Sequence, residues 1–165
     1  MPGYVIHIAT AKEYLKKHKS EENETEFIKG VIFPDSTPIK STTHYGKSSS
    51  YSNIGKFLEE NEIDSSFNRG YFLHLITDYL FYNKYLDHFS KDIYQDYDII
   101  NKRLMKKYNV TLPSEVKDKV FFKEGTTKIL SFELACKVID EVSSLDLYEV
   151  KKESHTTKWN SYKNI

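Results

Sequence analysis

A histidine and an aspartate, His74 and Asp78, stand four residues apart within a stretch that is otherwise almost entirely apolar. On a helix, this spacing places an imidazole and a carboxylate on one face, one turn apart, where a single cation can bind both. A helix that is apolar nearly all round is buried, and a buried aspartate needs a partner that offsets its lost hydration. The spacing therefore predicts a metal site, with a His–Asp hydrogen bond on a solvated face as the plainer alternative.

Three further candidate ligands precede this pair in the chain. His7 lies among apolar residues near the start, Asp35 follows Pro34 at the end of an apolar segment, and His44 lies in the polar stretch after it. Taken singly, each is more often a core histidine, a turn aspartate or a surface histidine than a metal ligand. Imidazole and carboxylate donors suit zinc, and they also accept manganese and iron. The residue types therefore leave His7, Asp35 and His44 as candidate ligands beside these plainer readings.

The single cysteine limits the kinds of metal site that the chain can form. Cys136 cannot form an intramolecular disulfide or a thiolate cluster, so histidine and aspartate must hold any metal. Its apolar neighbours predict that Cys136 is a buried packing residue.

The candidate ligands must be positioned by helices, because apolar residues recur at spacings of three and four. The predicted helices run from Tyr4 to His18, from about Asn53 to Glu60, from Ser65 to His88, from about Lys91 to Tyr108, and from Ser131 to Ser144. Residues 20–26 read as a solvated connection and residues 36–52 as a long ordered loop. The 165 residues predict one all-α domain over residues 1–165, with a frayed tail from about residue 151.

Three residues of the Ser65–His88 segment raise separate expectations. Gly70 costs about 1 kcal/mol relative to alanine in an exposed helix, so we expect a close helix crossing or a metal site beside it. Tyr71 and Tyr82 lie on the side of His74 and Asp78, and either could line a pocket there. Packing in the core is the plainer reading of both, and it is favoured for Tyr71.

Charge and hydropathy exclude some classes of function. The 24 basic residues balance 24 acidic ones, whereas nucleic-acid binders usually carry a basic excess. No stretch approaches the roughly 20 apolar residues needed to span a bilayer, and the N-terminus lacks the pattern of a signal peptide. We therefore expect a cytoplasmic protein without a strong nucleic-acid signal.

The order and context of the candidate ligands resemble the zinc-dependent phospholipase C family, within the all-helical phospholipase C and S1/P1-type nuclease group. The resemblance covers about residues 3–88. It rests on four features, which are the early His7-Ile-x-x-Ala, the corner from Gly30 to Asp35, the following His44, and the segment from Gly70 to Asp78 that carries His74.

The resemblance implies a compact all-α fold and a set of zinc ligands. Asp35, His44, His74 and Asp78 would form one metal site, and His7 would hold a second ion together with a bridging Asp78. In the family, such ions activate a water for phosphoester hydrolysis, and by resemblance Asp35 would orient or deprotonate that water. The substrate would be a small phosphoester or a phospholipid-like molecule.

The chain also departs from the family pattern. Secreted members use the amino group of a processed N-terminal tryptophan as a ligand, whereas this chain begins Met1-Pro2. Members with three metals add a histidine shortly after the helical aspartate and then a His-x-x-x-Glu pair, and no such pair follows Asp78 here. A third metal site is therefore not expected. A non-catalytic, metal-stabilised binding domain that retains part of a hydrolase site is the alternative to an enzyme.

Overall fold

The computed structural model describes residues 3–18 and 22–154. Within them the chain forms eight α-helices and no strand, which confirms the predicted all-α class. The helices are α1 (Gly3–His18), α2 (Glu24–Ile32), α3 (Lys40–His44), α4 (Ile54–Glu60), α5 (Ser66–Leu80), α6 (Asp92–Lys107), α7 (Phe132–Ser143) and α8 (Leu147–Glu153). Short 3₁₀ turns cover Phe33–Asp35, Ser49–Tyr51 and Lys117–Lys119.

Polar side chains define where the main helices begin. The side chains of Asn23, Ser65 and Ser131 each accept a hydrogen bond from a backbone amide in the first turn of α2, α5 and α7. Each cap satisfies an amide that has no partner within the helix. Ser65 and Ser131 stand at the predicted starts of their helices. The apolar helix α2 stops at Ile32, two residues before Pro34.

Two glycines bring α2 and α5 into backbone contact. A methyl group on Gly30 would lie 2.0 Å from the Phe67 carbonyl oxygen, and one on Gly70 would lie 2.1 Å from the Phe27 carbonyl oxygen. No larger residue fits at either position without separating the helices. The close crossing expected at Gly70 is therefore present, and Gly30 is its counterpart on α2.

The structure corrects several predicted boundaries. The segment Ser65–His88 is not one helix, because α5 ends at Leu80 and a π-helical turn, Phe81–Tyr85, follows. Residues 24–26, predicted to belong to a solvated connection, are helical, since the Asn23 cap starts α2 at Glu24. The loop predicted over residues 36–52 contains α3 and a 3₁₀ turn.

Part of the predicted frayed tail is helical. The side chain of Asp146 caps α8, and burial of Leu147 and Val150 anchors this helix as far as Glu153. Residues 151–153, predicted to be frayed, are therefore helical, and residues 155–165 lie outside the described part of the chain. Across residues 3–18 and 22–154, no helix combines the length and apolarity needed to cross a bilayer.

Candidate metal centre

The fold brings all five predicted ligands into one buried cluster. His7 comes from α1, Asp35 from the 3₁₀ turn after α2, His44 from α3, and His74 and Asp78 from α5. Their side chains are at most 1% exposed. The α2–α5 crossing contributes directly, because it places the end of α2 beside the middle of α5.

The Nε2 atoms of His44 and His74 each lie at distances from two carboxylate oxygens, and from one another, that suit one tetrahedral ion. The two Nε2 atoms of His44 and His74 are 3.3 Å apart. Asp35 Oδ1 lies 3.4 Å and 3.6 Å from these nitrogens, and Asp78 Oδ2 lies 3.0 Å and 3.2 Å from them. Zinc bonds of about 2.0–2.1 Å at tetrahedral angles separate neighbouring ligand atoms by about 3.3 Å. We call these four atoms the inner set.

Backbone carbonyls orient two of the imidazole rings. His74 Nδ1 donates to the Val31 carbonyl at 2.6 Å, and His44 Nδ1 donates to the Lys40 carbonyl at 2.9 Å. A carbonyl only accepts, so Nδ1 carries the hydrogen and each neutral ring turns the lone pair of Nε2 inward. This tautomer and this hydrogen bond are usual for histidines that bind metal.

The remaining donors form an outer set on the other oxygens of the same carboxylates. His7 Nε2 lies 3.1 Å from Asp78 Oδ1 and 3.9 Å from Asp35 Oδ2. The His7 ring stacks on the His74 ring, with centroids 3.6 Å apart and planes 9° from parallel. Asp35 and Asp78 therefore each contribute one oxygen to the inner set and one to the outer set.

Six buried atoms of the cluster have no hydrogen-bond partner. Both oxygens of Asp35, both oxygens of Asp78 and both ring nitrogens of His7 are buried without a hydrogen-bond partner. Leaving one such atom unsatisfied costs about 1–3 kcal/mol, and more for a charged group. A cation is the kind of partner that satisfies convergent carboxylate and imidazole donors together. Buried His/Asp groups of this kind could hold a metal ion.

The carboxylates and imidazoles shift one another's titration. Burial alone raises the pKa of Asp78, but His74 and His7 outweigh it and hold that pKa well below its usual range. The pKa of Asp35 is also lowered, because His74 and His44 outweigh its burial. Burial alone lowers the pKa of His44, yet its pairing with Asp35 and Asp78 raises that pKa to about 9. Burial and the neighbouring His74 lower the pKa of His7.

We expect opposite pH dependences for stability and metal binding. In the metal-free protein the raised pKa of His44 stabilises the fold fully below about pH 6.5, and this contribution disappears as the pH rises through about 9. Only the neutral imidazole binds metal, so zinc affinity should increase over the same interval and each ion should displace one proton. Calorimetric titrations near pH 7.5 in buffers of different ionisation enthalpy measure that proton. A binding heat that does not depend on the buffer would contradict the prediction.

Two residues that the sequence analysis missed hold Asp35 in place. The Tyr4 hydroxyl donates to the Asp35 carbonyl at 2.9 Å, and Lys40 Nζ donates to the same carbonyl at 2.6 Å. The Lys40 carbonyl also accepts a hydrogen bond from His44 Nδ1, so Lys40 contacts two of the candidate ligands. Neither residue belongs to a recognisable sequence motif. Only their position near the Pro34–Asp35 corner, in sequence or in space, indicates that they hold the Asp35 carbonyl.

The two tyrosines near the helical pair are both buried. The Tyr71 hydroxyl donates to the Thr43 carbonyl at 2.6 Å, so Tyr71 supports the residue before His44 while its ring packs in the core. The Tyr82 hydroxyl is buried without a hydrogen-bond partner. Cys136 is a free, buried thiol, as predicted.

Comparison of the chain with protein-family models, with curated proteins and with solved structures found no match. The resemblance to zinc-dependent phospholipases C thus remains a prediction from the five residues and their order. The structure adds the arrangement of those residues, which is two overlapping donor sets that share both carboxylates.

Proposed function

We propose that this chain is a cytoplasmic, metal-dependent phosphoester hydrolase of the phospholipase C type, with zinc as the preferred ion. The observation that carries the proposal is the inner set, whose distances suit a tetrahedral ion and whose carboxylate oxygens accept no hydrogen bond. When bound, a divalent cation lowers the pKa of a water toward neutrality and polarises a phosphoryl oxygen. Manganese or iron would supply similar chemistry.

The residues of the chain would divide the work around that ion. His44, His74 and Asp78 hold it, and the carbonyls of Val31 and Lys40 keep the two rings in the binding tautomer. Asp35 reaches the inner set from the 3₁₀ turn after α2. Its lowered pKa keeps it ionised, so we assign to Asp35 the orientation of the attacking water and the acceptance of its proton.

A second function is favoured by the burial of the cluster. Side chains that are at most 1% exposed leave a substrate no open route in this conformation. A closed four-donor site is typical of structural zinc, whereas catalytic zinc keeps an open position. The alternative is therefore a non-catalytic domain that a metal stabilises and that binds a partner through another surface.

Turnover of generic substrates separates the two functions. Zinc-loaded protein should hydrolyse a chromogenic phosphodiester or phosphomonoester, and chelation should abolish the reaction. His74→Ala should lower the rate at least about 100-fold, because it removes an inner donor and its ring support. Lys102→Ala, on the exposed face of α6, is the matched control and should retain the rate.

Two results would decide against the enzyme. One is stoichiometric zinc without turnover of either ester. The other is a His74→Ala protein that loses thermal stability but changes no reaction rate. Either result supports the metal-stabilised binding domain.

A further inference from the structure

A cavity of about 750 Å³ lies between α6 and the irregular segment that leads into α7. It is lined by residues of α6 between positions 98 and 106, by residues 122–127 and by the start of α7, and none of the five candidate metal ligands belongs to this lining. Its volume falls within the range of about 300–1,000 Å³ that is typical of small-molecule sites. We call this cavity the α6 groove.

The segment opposite α6 is held in place at both ends. The buried carboxylate of Asp96 accepts hydrogen bonds from the backbone amides of residues 128–130 at 2.7–2.9 Å. Nearer the start of the segment, Asn101 Nδ2 donates to the Phe121 carbonyl at 3.1 Å. The groove is therefore formed before any ligand arrives, and a preformed site loses less conformational entropy on binding.

One guanidinium in the groove is positioned for a planar anion. Arg103 Cζ lies 3.9 Å from the centroid of the Phe132 ring, so the guanidinium is held over that ring. Among the residues that the structure describes, neither Arg103 nor Lys106 has an ion-pair or hydrogen-bond partner. A guanidinium supported on an aromatic ring keeps its edge donors for the two oxygens of an acid group, and Lys106 adds a second charge one turn along α6.

The balance of charges around the groove favours an anion with a single charge. Four basic and three acidic side chains line the groove, which gives the lining a formal charge of +1. One carboxylate neutralises this charge. A phosphate dianion would exceed it and would be repelled by the acidic side chains, which are those of Asp98, Glu124 and Glu133.

Aromatic rings give the groove an apolar part. Phe122 lines the groove with 54% of its surface exposed, and Phe132 lies beneath the guanidinium of Arg103. Small-molecule sites typically combine apolar surface of this kind with a few polar groups. A ligand with an aromatic ring beside its carboxylate would cover Phe122 and gain free energy from the buried apolar area.

We propose that the α6 groove is a binding site for an aromatic carboxylate. The carboxylate binds Arg103 and Lys106, and the ring of the ligand packs against Phe122. The site shares no residue with the metal centre, so the inference does not depend on the proposed function.

A nuclear magnetic resonance titration of the isotope-labelled protein tests the proposal. Phenylacetate should shift the amide resonances of residues 122–127 in a saturable way, and the position of these shifts distinguishes the groove from the metal centre. Phenylacetamide lacks the charge, acetate lacks the ring, and inorganic phosphate carries too much charge. Each of these three probes should bind at least about tenfold more weakly than phenylacetate.

Variants of Arg103 separate the contribution of charge from that of geometry. Arg103→Gln should weaken phenylacetate binding at least about tenfold, because it removes hydrogen bonds between charged groups. Arg103→Lys keeps the charge but loses the planar pair of donors, so its affinity should lie between those of wild type and Arg103→Gln. Lys137→Gln, at an exposed position of α7 outside the groove, is the matched control and should bind as wild type does.

Four results would overturn the proposal or one of its parts. The absence of saturable shifts at residues 122–127 would overturn the site. Phenylacetamide or phosphate that binds as tightly as phenylacetate would overturn the choice of a carboxylate, and acetate that does so would overturn the role of the ring. A folded Arg103→Gln protein with wild-type affinity would overturn the assignment of the carboxylate to Arg103.

Discussion

Asp78→Ala should abolish metal binding and also destabilise the metal-free protein. Asp78 contributes an oxygen to both donor sets, so its removal leaves neither set complete. In the metal-free protein the substitution also removes a carboxylate whose pKa His74 and His7 hold well below its usual range, and it removes one of the partners that raise the pKa of His44. Both shifts mark interactions that stabilise the fold at neutral pH, so we expect the metal-free variant to lose about 1–3 kcal/mol of unfolding free energy.

Zinc should then separate the two proteins clearly. A ligand at 1,000 times its dissociation constant stabilises the folded state by about 4 kcal/mol. For a protein of this size, that corresponds to an increase in the Tm of roughly 10 °C for the wild type and none for the variant. Elemental analysis and thermal unfolding with and without chelator measure both effects. Asp118→Ala, in an exposed 3₁₀ turn, is the matched control. Stoichiometric zinc in Asp78→Ala would contradict the assignment.

Gly70→Ala should be among the most damaging single substitutions in the chain. In an exposed helix this change stabilises by about 1 kcal/mol, because alanine is the better helix former. Here the new methyl would lie 2.1 Å from the Phe27 carbonyl oxygen, which belongs to a helical backbone and cannot rotate away. We expect a loss of about 3 kcal/mol or more, or failure to obtain soluble protein.

The same substitution should weaken zinc binding. His74 Nδ1 donates a hydrogen bond to the Val31 carbonyl at 2.6 Å. Separation of α2 from α5 would draw that carbonyl away from the ring. Chemical unfolding and zinc titration of Gly70→Ala measure both consequences, and Gly30→Ala should reproduce them from the opposite helix. Lys102→Ala, on the exposed face of α6, should have an unfolding free energy within about 0.5 kcal/mol of wild type. A Gly70→Ala protein with wild-type stability would refute the backbone contact.

The helices and the five convergent side chains were predictable for identifiable reasons. Capping serines and apolar spacing mark α5 and α7, and the four-residue separation of His74 and Asp78 places both on one face. Their coming together with His7, Asp35 and His44 was expected only through the resemblance, since no spacing connects residues so far apart.

Other features could not be predicted because they depend on contacts distant in sequence. Nothing in the local sequence shows that Gly30 contacts the Phe67 carbonyl oxygen across the α2–α5 crossing. Lys40 sits in a polar stretch, and its role follows from two carbonyls that the corner at Asp35 turns toward it. The π-helical turn after Leu80 interrupts a pattern whose apolar spacing would continue a helix.

The order of the ligands along the chain has a consequence for biosynthesis. His7 leaves the ribosome early, and Asp78 follows about 70 residues later. An ion that binds both residues closes the loop between them, and closing this loop costs conformational entropy unless the helices have already brought its ends together. A nascent chain therefore presents a full set of donors only after α5 has emerged and crossed α2. The ion would be acquired only by chains whose first five helices have assembled, and this stage can precede the synthesis of α6, α7 and α8.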